Sequence, residues 1–280
     1  MQSLEFETFA ALISIDDQAQ QLYGVEAPQP NNITCWIASE PGKKFSVKWH
    51  NAHRLFPLEG VVTIDGVACA SYIMLDAVSF PTKPNEISVS HAWTSNFIRR
   101  DFMFAAIEVT DDDAYLHTID QTFNFGTITL ELWRYEVTDV ETRPMIPQPD
   151  QTLESQLLHE KSKKAGTHHV KYGKGYFSSP PMVSVVSGHR LGNTPHVTFT
   201  FKYRPMALLI ANGIVLRPIA LPVNALVNVD PEILAAIRSL EAQLQNLRRK
   251  VGLDQPGETS RNHAASGRVK QELDLGLRLL

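Results

Sequence analysis

The sequence lacks most of the features that would assign it to a secreted, membrane-spanning or disulfide-bonded class. Its 280 residues contain two cysteines, Cys35 and Cys69, and both lie in apolar stretches. We interpret them as buried reduced thiols, because two cysteines in strand-like stretches are weak evidence for a disulfide. The N-terminus has neither the basic region nor the apolar region of a secretory signal. We therefore expect an intracellular protein, either nuclear or cytoplasmic.

A dominant charge is also missing. The 26 basic and 30 acidic residues give a net charge of −4, which argues against nucleic-acid binding through global charge. The longest apolar segment, Met206–Val229, has the length of a membrane span but contains Arg217, Pro218 and Pro222. A central arginine and two prolines disfavour a lipid-facing helix. We expect this segment to pack on a sheet and the protein to have no membrane partner.

Catalytic signatures are absent as well. None of the short motifs of serine hydrolases, phosphate-binding loops, dinucleotide-binding folds or zinc hydrolases occurs in the chain. We therefore assign no catalytic residue, no cofactor and no metal ligand from the sequence. A catalytic pair assembled from distant strands is left as an alternative, because the sequence does not show which strands are neighbours.

What the sequence has in abundance is strand-like alternation. The two clearest segments are Phe102–Val109 and Gly126–Val137. In the second, Ile128, Leu130 and Leu132 alternate with polar residues, the period of a half-buried strand. After Leu132 the apolar side chains move to odd-numbered positions. This change of phase predicts a bulge, or a strand end that is covered on both faces.

The strongest turn signal is Asp65-Gly66, which joins two apolar runs, because a two-residue type I′ turn requires positive φ at both positions. Further strands are predicted at Phe9–Ile15, Ile33–Ile37, Phe45–Trp49, Met182–Val186 and His196–Tyr203. Eight or nine short strands with few helices favour an antiparallel β-sandwich or jelly roll over residues 1–222. Within it, residues 141–181 are expected to form a proline-rich and basic connector.

Two short helices are predicted inside this domain. The first is a polar helix at Leu153–Lys164, followed by a loop rich in glycine, histidine and lysine that extends to Gly175. The second begins at Pro205, continues through Asn212 and ends at Gly213, because proline suits the first helical position and glycine the end.

The C-terminal helix, residues 230–252, carries a heptad stripe. Its apolar side chains are spaced alternately by four and three residues: Ile233, Ile237, Leu240, Leu244, Leu247 and Val251. The rest of the helix is polar, so only a narrow stripe is available for burial, which favours a parallel coiled-coil homodimer. The alternative is an amphipathic helix that docks on its own β-domain. Residues 253–280 are polar and are predicted to be a disordered tail.

Several motifs resemble those of one protein family. They are Thr34–Glu40, Phe45–Trp49, Ile64–Val67, Thr110–Leu116, Gly126–Arg134, His159–His168 and Phe199–Pro205. Together they are spread over most of residues 5–215, and by them the chain is similar to a family of fungal proteins, expanded in mushroom-forming species, with a domain of unknown function. The resemblance implies no catalytic residue.

Two polar groups are candidates for binding. Asp111–Asp113 has the oxygen ligands that Ca²⁺ prefers, but contiguous side chains point apart, so we favour a solvated turn. A stretch with His159, His168 and His169 has enough positive charge to contact nucleic-acid phosphates, and a solvated loop is the plainer interpretation. The lysines of this candidate basic contact are Lys161, Lys163, Lys164 and Lys171.

The tail has two motifs of its own. Lys270 lies in an apolar-Lys-x-Glu pattern that resembles the acceptor site of SUMO-type conjugation, so it is a candidate modification site. Leu273–Leu277 alternates leucines and could add a strand to the edge of a partner's sheet.

Two functions follow as hypotheses. The first is a non-enzymatic intracellular binding or scaffold protein, with an unknown protein partner, that self-associates through residues 230–252. The alternative is a carbohydrate- or small-ligand-binding jelly roll, with hydrolysis as a further option. Its stacking platform would consist of four tryptophans: Trp36, Trp49, Trp93 and Trp133.

Overall fold

A computed structural model of the chain describes residues 2–95, 97–114, 125–146, 157–159 and 167–217, together with seven residues between 235 and 247. The chain divides into two compact units, one with the residues up to Leu216 and one with Arg217–Leu273. The first unit is mainly β.

The described strands of the first unit are numbered in chain order. They are β1 (Leu4–Phe6), β2 (Phe9–Ile15), β3 (Gln18–Ala19), β4 (Tyr23–Gln29), β5 (Asn32–Ser39), β6 (Phe45–Asn51), β7 (Leu58–Ile64), β8 (Val67–Met74), β9 (Glu86–Val89), β10 (His91–Ser95), β11 (Ile98–Ala106), β12 (Glu108–Thr110), β13 (Thr127–Pro144), β14 (Leu157–His159), β15 (His168–Tyr172), β16 (Tyr176–Phe177), β17 (Met182–Arg190) and β18 (Val197–Pro205). One short helix, α1 (Met206–Ala211), follows β18.

The first layer is built from two neighbouring sheets. A five-stranded antiparallel sheet has the order β1-β2-β6-β9, with β3 beside β2. A second sheet has the order β10-β11-β15, with β16 beside β11. A β-bridge between Lys44 and Met103 joins the two sheets, and the N–H of Phe102 donates to the carbonyl of Ser90 at 2.9 Å.

The second layer is a seven-stranded sheet in the order β4-β5-β18-β13-β7-β8, with β17 beside β13. Its neighbouring strands β5 and β18 are parallel, so the predicted antiparallel arrangement is wrong at this point. β12 and β14 also pair in parallel. Parallel neighbours need a long connection between them, and here most of the chain intervenes, so no local turn signal could predict the pairing.

The main core lies between the layers, where the alternate side chains of both meet. The ring of Phe104 connects them, since it stacks on Phe45 at 4.4 Å between centroids and lies 5.0 Å from the ring of Tyr203. Trp49 packs against Gly60, where a side-chain carbon would come within 2.7 Å of the indole. Two facing layers around one apolar core make the fold sandwich-like.

The long strand β13 explains the predicted change of phase. It pairs with β18 as far as Leu132 and with β7 as far as Arg134, and from Tyr135 onward it pairs with β17. The buried side of the strand changes from Leu132 to Tyr135, which packs in a separate small cluster. A bulge follows between Val137 and Asp139. The phase change therefore marks the point where the strand exchanges one set of neighbours for another.

The local predictions that depend on alternation and turn residues are confirmed. The first predicted strand has the bounds of β2, and Asp65 and Gly66 have φ angles of 52° and 84°, as a two-residue hairpin turn requires. The helix α1 has Pro205 as its N-cap and Gly213 just beyond its end, with φ +70°. Its residue Leu209 is fully buried.

Three predictions between these elements are wrong. The predicted loop before Gly175 contains the buried strand β15, and Leu157–His159, predicted as helix, is the strand β14. The stretch from Phe80 to Asn96, whose two prolines and many polar residues predict a long connection, contains β9 and β10. In each case a partner strand from elsewhere in the chain supplies the hydrogen bonds, so the local pattern of these polar segments is overruled.

In the second unit the described residues are helical. They are Ala235, Ser239, Leu240, Ala242, Gln243, Asn246 and Leu247, and all seven are exposed. These positions agree with the predicted helix at 230–252; its pairing stays a prediction. Of the stripe, Ile233, Ile237, Leu244 and Val251 lie outside the described residues, as does the predicted tail 253–280. Within the described part of the chain, no helix is both long enough and apolar enough to cross a membrane.

Candidate functional site

One buried polar group of the β unit with four hydrogen bonds is the carboxylate of Asp65, at the turn between β7 and β8. Its Oδ1 accepts hydrogen bonds from the N–H groups of Gly126 and Thr127 at 2.8 and 3.2 Å. Its Oδ2 accepts from the N–H of Val170 at 2.9 Å and from the hydroxyl of Tyr203 at 2.6 Å. Burial raises the pKa of Asp65 above its ordinary value, and the four donors oppose that shift.

This arrangement, which we call the Asp65 clamp, links one turn to the start of β13, the middle of β15 and the end of β18. The sequence identified Asp65 only as a turn residue. Its partners lie 61 to 138 positions away, so no spacing rule could reveal them. Three of these donors belong to the same layer as Asp65, and the bond from Val170 of β15 joins that layer to the other.

A buried serine–histidine pair matches the alternative of a catalytic pair from distant strands. The hydroxyl of Ser39 lies 2.7 Å from Nδ1 of His168, and the two residues are 129 positions apart. They are only 6% and 7% exposed, and burial lowers the pKa of His168 below its ordinary value. The imidazole is thus neutral at pH 7 and closed off by the core, which is the environment of a structural hydrogen bond.

The outer face of the seven-stranded sheet carries a row of threonines. Thr34, Thr200, Thr129 and Thr63 are consecutive neighbours on β5, β18, β13 and β7. Thr200, Thr129 and Thr63 are half-buried and alternate with buried residues of their strands, so they point away from the core, whereas Thr34 is only 7% exposed. Together they form a polar row across four strands.

The four tryptophans do not come together. Trp49 and Trp93 are 2% and 3% exposed, so both belong to the interior. Trp36 and Trp133 are half-buried on the outer face of the seven-stranded sheet, each beside cations. The guanidinium of Arg190 lies 4.6 Å from the centroid of Trp133, and the ammonium of Lys202 lies 5.5 Å from that of Trp36. A guanidinium over the Trp133 ring occupies a surface on which a sugar would stack.

Arg190 also forms a charged anchor on this face. Its Nε donates to Glu59 at 2.5 Å, and the Ser71 hydroxyl donates to the same carboxylate at 2.6 Å. The Glu59 side chain is 2% exposed, so this ion pair is shielded from solvent on one side. This ion pair joins the end of β17 to β7, and its two charges neutralise each other within the fold.

The predicted basic contact is only partly visible. Lys171 lies on β15 opposite Met103 and is half-buried, while Lys161, Lys163 and Lys164 lie outside the described residues. His168 and His169 were expected in a solvated loop, but both are buried in β15. Burial removes these two histidines from a phosphate-binding surface.

The other candidates give no assembled site. Asp111–Asp113 is exposed, and the N–H of Ala114 donates to Oδ1 of Asp112 at 2.9 Å, as in a solvated aspartate turn. Among the residues that the structure describes, no group of three or more His, Cys, Asp or Glu could hold a metal ion. Lys270 and Leu273–Leu277 lie outside the described residues.

The two cysteines are confirmed as buried thiols outside any disulfide. Cys35 and Cys69 are 0% and 1% exposed. Burial raises the pKa of Cys35 to about 12, so this thiol is protonated and unreactive at neutral pH.

Fold and polar groups together define a mainly β, sandwich-like domain whose best-connected polar groups hold its layers together. Residues 9–218 match the family described as a domain of unknown function (DUF7918), and the chain belongs to that family. No curated protein and no solved structure is significantly similar to the chain.

Proposed function

We propose that this chain is a non-enzymatic intracellular binding or scaffold protein, in which the β unit presents a surface to a protein partner and residues 230–252 pair two copies. Two buried cysteines that form no disulfide support a reducing compartment, nuclear or cytoplasmic. The fungal origin suggested by the sequence motifs and the jelly-roll form of the sandwich stay predictions.

The observation that carries this proposal is the exposure of two leucines of the heptad stripe. Leu240 and Leu247 are helical and are 63% and 61% exposed in the single chain. They are seven residues apart, two turns of a helix, and so lie on one side of it. Burying a leucine stabilises by about 1.5–3 kcal/mol, so a parallel second copy that covers both would recover much of this energy.

The non-enzymatic part of the proposal is supported by how the buried polar groups are used. The carboxylate of Asp65 is surrounded by four donors, and the hydroxyl of Ser39 contacts a buried neutral histidine. Groups that are already paired and shielded from solvent serve packing specificity better than proton transfer to a substrate.

Pairing can be tested in the full chain with charge placed on or off the stripe. We expect the wild type to sediment with twice the monomer mass and Leu240→Glu/Leu247→Glu to sediment as a monomer, because like charges would face each other across the seam. The matched control is Ser239→Glu/Asn246→Glu, which adds the same charge at exposed helical positions off the stripe. It should stay dimeric. A monomeric wild type at tens of micromolar, or loss of pairing in the control as well, would contradict the proposal.

The alternative of a carbohydrate platform now rests on Trp36 and Trp133 alone. Trp36 has Lys202 and Arg204 beside it, at 5.5 and 5.7 Å from the ring centroid. Titration of tryptophan fluorescence with glycans separates the functions, and a change that disappears in Trp36→Phe would favour this alternative. A flat response would disfavour it.

A further inference from the structure

A cavity of about 220 Å³ opens on the first layer, on the side away from the core. Its floor has three serines in a row across neighbouring strands. Ser14 of β2 pairs with Ser46 of β6, and Ser90 directly follows Val89, the partner of Val47. We call this cavity the serine pocket. It is independent of residues 230–252 and of the pairing proposed above.

The rim of the serine pocket carries charges of both signs. Asp16 and Asp17 come from the turn after β2, where both have positive φ angles of 49° and 60°. Asp101 comes from β11, and Lys44 directly precedes β6. Carboxylates from two sheets and the lysine ammonium therefore face the same small space.

These charges are balanced by ion pairs. Three lysines contact the three carboxylates in turn: Lys43 with Asp16 at 2.9 Å, Lys44 with Asp101 at 2.7 Å and Lys48 with Asp17 at 3.7 Å. Each of the three rim carboxylates has a lysine partner, although only Lys44 of these lysines lines the pocket, so neither a cation nor an anion meets an unpaired counter-charge there. The arrangement favours a neutral ligand that both donates and accepts hydrogen bonds.

One buried hydroxyl on the floor of the serine pocket lacks a hydrogen-bond partner among the described residues. Ser14 is 2% exposed, and its Oγ has no hydrogen-bond partner among the described residues. Buried hydroxyls are nearly always hydrogen-bonded, so an unpaired one that lines a cavity points to a missing partner. A ligand hydroxyl placed over the serine row could bond to Ser14 and to its neighbours Ser46 and Ser90.

We propose that the serine pocket binds a neutral polyhydroxylated small molecule, such as one sugar ring. Serine hydroxyls and Lys44 donate to ligand oxygens, and the carboxylates of Asp16 and Asp101 accept from ligand hydroxyls. The volume is below the roughly 300–1,000 Å³ of pockets for drug-sized ligands, which suits a single ring.

The test is a titration of the full chain with neutral polyols, followed by two-dimensional amide NMR. The probes are D-glucose, N-acetyl-D-glucosamine and myo-inositol at up to tens of millimolar, with spermine and sodium sulfate as charged comparisons. We expect at least one neutral probe to cause saturable shifts that are confined to the amides of residues 14–17, 44–46, 90 and 101. Neither charged probe should match them.

Two serine variants decide whether the pocket is responsible. Ser14→Ala removes the unpaired hydroxyl and should weaken binding about tenfold, while its melting temperature stays equal to or above that of the wild type. Ser88→Ala is the matched control, because Ser88 lies on the same sheet opposite Lys48 but is exposed and outside the pocket. Its binding should not change. No localised shift with any neutral probe, equal binding by Ser14→Ala, or stronger shifts with a charged probe would overturn the proposal.

Discussion

Replacing Asp65 by asparagine is the most direct test of how the layers are held together. Asparagine keeps the shape of the side chain and tolerates the left-handed backbone at φ 52°. It exchanges one carboxylate oxygen for an NH₂ donor. The Tyr203 hydroxyl can rotate and accept from that donor, but the N–H of Val170 cannot. In either orientation of the amide, at least one buried N–H loses its acceptor.

The magnitude follows from these contacts. A buried donor without a partner costs about 1–3 kcal/mol, and hydrogen bonds to a charged acceptor contribute about 1.5–3 kcal/mol each. Asp65→Asn loses one bond and weakens the others, so we expect about 2–4 kcal/mol of destabilisation. Tyr203→Phe removes a single donor and should cost about 1.5–3 kcal/mol. Since whole domains are stable by about 5–15 kcal/mol, both variants should still fold.

The assay is urea unfolding at pH 7, with tryptophan fluorescence as the signal, because Trp49 and Trp93 are both buried. The double variant should be less destabilised than the sum of the singles by more than about 0.5 kcal/mol, since both act on one hydrogen bond. Asp139→Asn, at an exposed position of β13, is the control and should stay within about 0.5 kcal/mol of the wild type. An Asp65→Asn midpoint equal to that of the control, or strict additivity with Tyr203→Phe, would refute the reasoning.

Two further predictions concern pH and packing. Burial and the neighbouring Arg99 lower the pKa of His91 from 6.5 to about 4, so the unfolded chain takes up the proton first and stability falls as the pH drops from about 6.5 to 4. The loss from this residue is about 3 kcal/mol at most. Urea midpoints across that range should fall less in His91→Gln, and an identical fall would exclude this role. Gly60→Ala would push a Cβ to 2.7 Å from the Trp49 ring and should cost about 1–3 kcal/mol in the same assay. Gly173→Ala is its control, because there the nearest atom is 3.5 Å away, and equal costs for the two would contradict the packing argument.

Some of this molecule was predictable from short stretches of chain. The alternation in β2 and β13 and the dipeptide Asp65-Gly66 each report on the backbone within a few residues, and the structure agrees with all three. The strand β15 was not predictable in this way. Its histidines and lysine look like a solvated loop, and it is a strand because β11 supplies its ladder and the Asp65 carboxylate accepts from the N–H of Val170.

The two candidate sites also differ in whether the sequence alone can show them. The heptad stripe is a property of consecutive residues on one helix and can be seen in the sequence. The serine pocket depends on Ser14, Ser46 and Ser90, which are ordinary strand or loop residues until the register of β2, β6 and β9 places them side by side.

By itself the sequence determined that its clearly alternating segments are strands, where the tightest turn falls and which helical positions are apolar, because these depend on side chains within one element. Only the tertiary structure decided that β5 lies parallel to β18, that β13 serves two sets of neighbours and that Asp65 meets Tyr203. Strand pairing and the burial of polar groups depend on contacts between residues far apart in the chain. No local pattern carries that information.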